Sequence, residues 1–140
     1  MEAQVAMFQL HPRLQADTLE IGRLTLCELR LMNDSRFPWI ILVPMREAVT
    51  ELHQLSVGEQ QLLLAESSSV ANCLAEMETV EKINVAALGN LVAQFHWHLV
   101  GRSRTDPCWP GPVWGCGEAQ PYTGEQAEGL ILSIRRFLDL

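Results

Sequence analysis

The sequence predicts one domain that mixes strands with helices, and three observations carry that reading. A chain of 140 residues, 48% of them hydrophobic, is one domain's worth and has enough apolar material for a proper core. Strand-length apolar segments recur at residues 18–21, 24–33, 37–44, 82–87 and 93–101. Two capping boxes, Ser56 with Glu59 and Thr123 with Gln126, each precede a stripe of helical period. No internal repeat or low-complexity tract interrupts the chain, so residues 1–140 read as a single domain. Within it stand an N-terminal arm (1–16), a Pro/Gly/Trp-rich loop (102–122) and a C-terminal helix (123–140).

Residues 1–16 show little periodicity, and His11-Pro12 reads as a turn or extended lead-in, ordered only where it meets the body. Segments 18–21 and 24–33 alternate or fill both faces, as strands covered on two sides do. Asn33 to Arg36 has turn composition. The run 37–44, closed by Pro38 and Pro44, reads as a buried and therefore central strand. Residues 46–55 suggest a short helix with Val49, Leu52 and His53 inward. The first capping box opens a long helix at 58–79, with Leu63, Val70, Leu74 and Met77 on its buried stripe and Glu59, Gln60, Glu66 and Glu76 left to solvent. Leu88-Gly89-Asn90 separates the strands 82–87 and 93–101, which are close enough to pair as a hairpin-like unit. So many prolines forbid regular structure in 102–122, yet Trp109 and Trp114 imply a loop packed against the body or a partner subunit. The C-terminal stripe is Leu130, Ile131, Ile134, Phe137 and Leu138.

Charge and composition exclude several functions. The net charge is −7, from 17 acidic and 10 basic residues. That balance argues against a nucleic-acid polymer as partner, because such a binder needs a basic footprint to displace counterions. The longest apolar run is too short to cross a bilayer and the first residues lack a secretory pattern, so no membrane partner and a cytoplasmic location are expected. In that compartment Cys27, Cys73, Cys108 and Cys116 are expected as reduced thiols.

Chemistry concentrates in Gln94-Phe95-His96-Trp97-His98-Leu99-Val100-Gly101-Arg102. In extended chain, Gln94, His96, His98 and Val100 share one face while Phe95, Trp97 and Leu99 pack on the other. This run resembles the signature of the histidine triad (HIT) superfamily, with Gln94 where the first histidine stands. Asn84 to Asn90 is similar to the asparagine-to-glycine segment ahead of that triad, and Asn33 followed by the strand ending at Pro44 is similar to the family's ribose-binding residue and L-V-x-P strand.

The resemblance implies an α+β fold, a five-stranded antiparallel sheet with a long helix and a C-terminal helix, pairing with a second subunit as a homodimer. It also implies a site for nucleoside phosphates such as dinucleoside polyphosphates or phosphoramidates, hydrolysed or transferred through a nucleotidyl-histidine intermediate. By position, His96 is the nucleophile, His98 the phosphate-contacting histidine, and Gln94 completes the catalytic set. Asn90 contacts phosphate in this scheme, and Asn84 is a further candidate. Independently, a neutral imidazole suits attack at an anionic phosphorus centre, provided a partner on its other nitrogen holds one tautomer; a backbone carbonyl is expected there. Backbone amides at Gly89 and Asn90, with Arg102 further off, are expected to stabilise phosphate charge. Asn33 or Asp34 would accept from ribose hydroxyls, with Leu31, Phe37 or Trp39 lining a base pocket. No resident cofactor or metal is expected, magnesium entering, if at all, with the substrate.

Other readings compete. Gln94 cannot titrate, so a nucleotide-binding protein with little catalysis is one alternative. A non-enzymatic interaction module built on the tryptophan loop is another. A zinc site of His96, His98, Cys108 and Cys116 is a third, although its spacing fits no standard pattern.

Overall fold

The computed structural model describes residues 8–140 of the chain. Helix α1 (Pro12–Asp17) leads into β1 (Thr18–Arg23), β2 (Cys27–Met32) and β3 (Trp39–Pro44). A 3-10 turn (Leu52–Gln54) and the long α2 (Val57–Ala75) follow, then β4 (Lys82–Ala86), β5 (Trp97–Arg102) and α3 (Gly124–Phe137). The five strands form one antiparallel sheet in the order β1-β2-β3-β5-β4. This is the α+β architecture expected.

Strand alternation splits the core in two. Leu29, Leu31, Ile40, Leu42 and Leu99 point to one face, where they meet Leu63, Val70 and Leu74 of α2 and Ile134 of α3. Trp39, Ile41, Val43 and Val100 point to the other, which Phe8, Leu14 and Val113 cover. Every residue of β3 is buried, as its central place demands. At about 1.5–3 kcal/mol per buried large aliphatic side chain, these two layers dominate the stability of the fold. Both capping boxes form as expected, with Ser56 and Thr123 accepting from the Glu59 and Gln126 amides. Among the described residues no helix is long and apolar enough to cross a membrane.

The structure corrects several local expectations. Residues 1–7 of the N-terminal arm lie outside the described residues, but the arm is not extended after His11. Pro12 opens α1, and the His11 ring accepts from the Arg13 amide as its cap. The helix expected at 46–55 shrinks to the 3-10 turn, because Ala48 takes a left-handed φ of 59° and the Gln54 side chain accepts from the Thr50 and Glu51 amides. Leu52 and His53 are consequently exposed. Helix α2 ends at Ala75 rather than 79, and Met77 packs from the turn beyond it. Glu66 is not a solvent residue: it is buried and accepts from the Leu26 and Cys27 amides at 2.8 and 3.0 Å, satisfying the backbone where the chain enters β2. Phe137, expected on the buried stripe of α3, is half-exposed.

The histidine strand is shorter than 93–101. Pairing with β3 stops at Trp97 and pairing with β4 at His98, so residues 93–96 lie outside both ladders, and the Phe95 amide donates instead to the Val49 carbonyl at 2.9 Å. Cys108 and Cys116 are not free thiols but form a disulfide within the 102–122 loop, whereas Cys27 and Cys73 are free and buried.

Candidate active site

The second face of the sheet opens into a cavity of about 450 Å³, within the range of small-molecule sites. His96 and His98 line it side by side, their ring centroids 4.8 Å apart. The loop after β4 brings Gly89 and Asn90 to the same cavity, and Gly89 makes the turn with a φ of 77°, a conformation that favours glycine. Met32 and Ile41 supply apolar floor, Leu88 and Leu91 stand at the β4 side, and Trp114 reaches in from the tryptophan loop.

The two imidazoles are held in opposite tautomers. His96 Nδ1 lies 2.7 Å from the Gln94 carbonyl oxygen, which can only accept, so Nδ1 carries a proton and the lone pair of the neutral form falls on Nε2. This is the backbone partner the chemistry called for. His98 Nδ1 instead accepts from the Trp39 indole N–H at 3.0 Å, and an indole can only donate, so the neutral His98 ring bears its proton on Nε2. Trp39 and Trp114 flank His98 with centroids at 5.8 and 5.2 Å. Burial first, and the neighbouring His96 second, push the His98 pKa from its usual 6.5 down to about 3, so this ring stays neutral at physiological pH.

Other expected residues go elsewhere. Gln94 does not line the cavity; its amide oxygen accepts from the His11 amide at 2.8 Å and its nitrogen donates to the Gln9 carbonyl at 2.9 Å. The Asn84 side chain accepts from buried Arg102, which also pairs with Asp106 and donates to the Gly111 carbonyl, so neither Asn84 nor Arg102 faces the cavity. Asn33 accepts from the Tyr122 amide. Asp34 is buried against Arg36 and the Gln120 amide; burial alone would raise its carboxyl, but those hydrogen bonds bring it below the usual range. Both residues pin the segment before α3 rather than the cavity. Leu31 lies in the core beneath α2, Phe37 is buried between Arg36 and Arg102, and Trp39 stands behind His98 without lining the cavity. With Cys108 and Cys116 bonded to each other, the zinc alternative loses its two sulfur ligands.

Sequence reading missed α1, whose Arg13, Leu14 and Asp17 form one wall of the cavity. The signal was present, since a proline at position 12 suits the first turn of a helix as well as a lead-in. Trp114 was foreseen as packing, and its contact with His98 makes it part of the site as well.

Comparison with known proteins identifies the fold and the family. A family model of the HIT domain matches residues 13–105. The solved structure of a histidine triad (HIT) protein from Sinorhizobium meliloti is 44% identical, covers 94% of this chain and 98% of that one, and superposes with a TM-score of 0.92. A histidine triad protein from Marinobacter aquaeolei is 46% identical over 95% and 97% of the two chains with a TM-score of 0.92, and one from Bradyrhizobium japonicum is 38% identical over 92% and 96% with a TM-score of 0.90. A search of curated proteins finds no match. The domain match across the sheet and its paired histidines, together with likeness along nearly the whole length of three histidine triad proteins, places this chain in the HIT family.

Proposed function

We propose that the protein hydrolyses or transfers a nucleotidyl group from a nucleoside phosphate, with His96 as nucleophile. The observation that carries this reading is the pair of imidazoles in one cavity, ring centroids 4.8 Å apart, with Nδ1 of one against a carbonyl acceptor and Nδ1 of the other against an indole donor, which supports opposed tautomers with an Nε2 lone pair on His96 and an Nε2–H on His98. In the first step His96 Nε2 attacks the phosphorus, a P–N bond forms and the bond to the leaving group breaks with its electron pair. In the second, water attacks the same phosphorus, the P–N bond returns its pair to His96, and the water proton leaves to solvent or product.

His98 is the donor to a nonbridging oxygen. A ring with so low a pKa is not an imidazolium that hands a full proton to the leaving group, but its fixed Nε2–H stabilises charge as it develops. A leaving group that departs as an anionic phosphate suits this arrangement better than an amine, which requires a proton. Asn90 and the backbone at Gly89 add neutral donors, which matter because the only cation lining the cavity among the described residues is Arg13.

The same reading includes a homodimer. β4 is a sheet edge, and Val85 with Leu88 and Leu91 beyond it leaves apolar surface exposed there. Light scattering at twice the chain mass supports the dimer, and a monomer mass excludes it.

The test is turnover of dinucleoside polyphosphates and nucleoside phosphoramidates by the parent and by His96→Ala. Loss of at least about a thousandfold in the variant is expected for removal of a nucleophile, with a nucleotidyl adduct trapped on the parent. Equal turnover removes His96 from the mechanism. Binding without turnover leaves a nucleotide-binding protein instead, and no response to any nucleotide favours an interaction module.

A further inference from the structure

We propose that Gln94 is a positioning residue for nucleotide binding: it clasps the backbone on the N-terminal side of α1 and so holds the α1 wall of the cavity that the histidines also line. The proposal rests on the cavity being the nucleotide site. Both amide atoms of Gln94 are engaged, the oxygen with the His11 amide and the nitrogen with the Gln9 carbonyl, at 2.8 and 2.9 Å. A primary amide carries donor and acceptor side by side and pairs with residues two apart as a neighbouring strand would. An imidazole has its two nitrogens on different edges of the ring and cannot serve both groups at once. The glutamine is therefore matched to the N-terminal segment, not to the cavity.

What the clasp holds is chemically distinct from the rest of the site. His11, whose amide it fixes, caps α1, and α1 presents Arg13 and Asp17, the charged side chains of the cavity lining, together with Leu14. Phe8 and Leu14 are buried and keep the segment attached when the clasp is removed, so variants at position 94 fold, with α1 loosened rather than lost.

The experiment compares Gln94→Met, which has neither donor nor acceptor, and Gln94→Glu, which keeps only the acceptor, with the parent. Hydrogen exchange of the His11 amide is expected to quicken about tenfold in Gln94→Met and less in Gln94→Glu, the size expected for ordinary neutral hydrogen bonds. KM for a dinucleoside polyphosphate is expected to rise about tenfold in Gln94→Met while kcat falls no more than about threefold. The Kd for AMP or GMP, read by calorimetry, rises in parallel. A fall in kcat above about tenfold with KM and His11 exchange unmoved places Gln94 at the reacting phosphate and overturns the proposal. Unchanged Kd in both variants overturns it as well. A parent that binds AMP or GMP without turning over substrate counts against the enzymatic reading alone, and the exchange and Kd comparisons still decide the role of Gln94.

Discussion

The buried, neutral state of His98 has a measurable consequence for stability. Below its ordinary pKa of 6.5 the ring takes up a proton in the unfolded chain, whereas in the folded protein it resists protonation down to about 3. Between those values the unfolded state binds more protons, so stability falls as pH falls through this window and the loss is complete below about 3. The ring is only 3% exposed, so solvent screening takes little from the effect. At about 1.4 kcal/mol per pH unit, moving from near pH 7 to near pH 5 removes roughly 2 kcal/mol, or a shift of about 1 M in the urea midpoint. The control is His98→Asn, whose amide oxygen can accept the Trp39 indole N–H and does not titrate. All other ionisable groups are shared, so the difference between the two pH responses isolates His98. Parent and variant losing the same stability over that interval would refute the burial argument and, with it, the assignment of His98 as a fixed neutral donor.

Two further outcomes follow from the same geometry. Trp39→Phe leaves His98 Nδ1 without its donor in a buried setting; it is expected to cost about 1–3 kcal/mol, visible as a fall of several degrees in Tm, and to spread the His98 proton over both ring nitrogens, visible in nitrogen NMR. Reducing Cys108–Cys116 opens a loop of sequence separation 8 and is expected to remove roughly 2–3 kcal/mol; thermal melts with and without a dithiol check this, and Cys108→Ser should melt like the reduced parent and ignore the reagent.

Where interactions are local or periodic, the sequence was readable. Ser56 with Glu59 and Thr123 with Gln126 cap helices whose donors and acceptors lie within four residues. Run 37–44, apolar and closed by prolines, became the central strand, and the alternation around His96 and His98 put both rings on one face. The failures were tertiary. Glu66 looks like a solvent residue on a helix until the entry to β2, about 40 residues away in sequence, supplies two amides. Asn33, Asp34 and Asn84 have the chemistry of ligand contacts, but Tyr122, Arg36 and Arg102 reach them first.

The sequence by itself determined the strands, the capped helices, the two-histidine face and the family, because each rests on short spacings and residue type. Only the tertiary structure decided which nitrogen of each imidazole bears the proton, since the Trp39 indole comes from the neighbouring strand and the Gln94 carbonyl matters through its orientation. It also decided that Gln94 turns away to hold the chain ahead of α1, 83 and 85 residues distant in sequence. Hydrogen-bond partners so far apart leave no trace in local pattern; they exist only once the sheet has brought them within 3 Å.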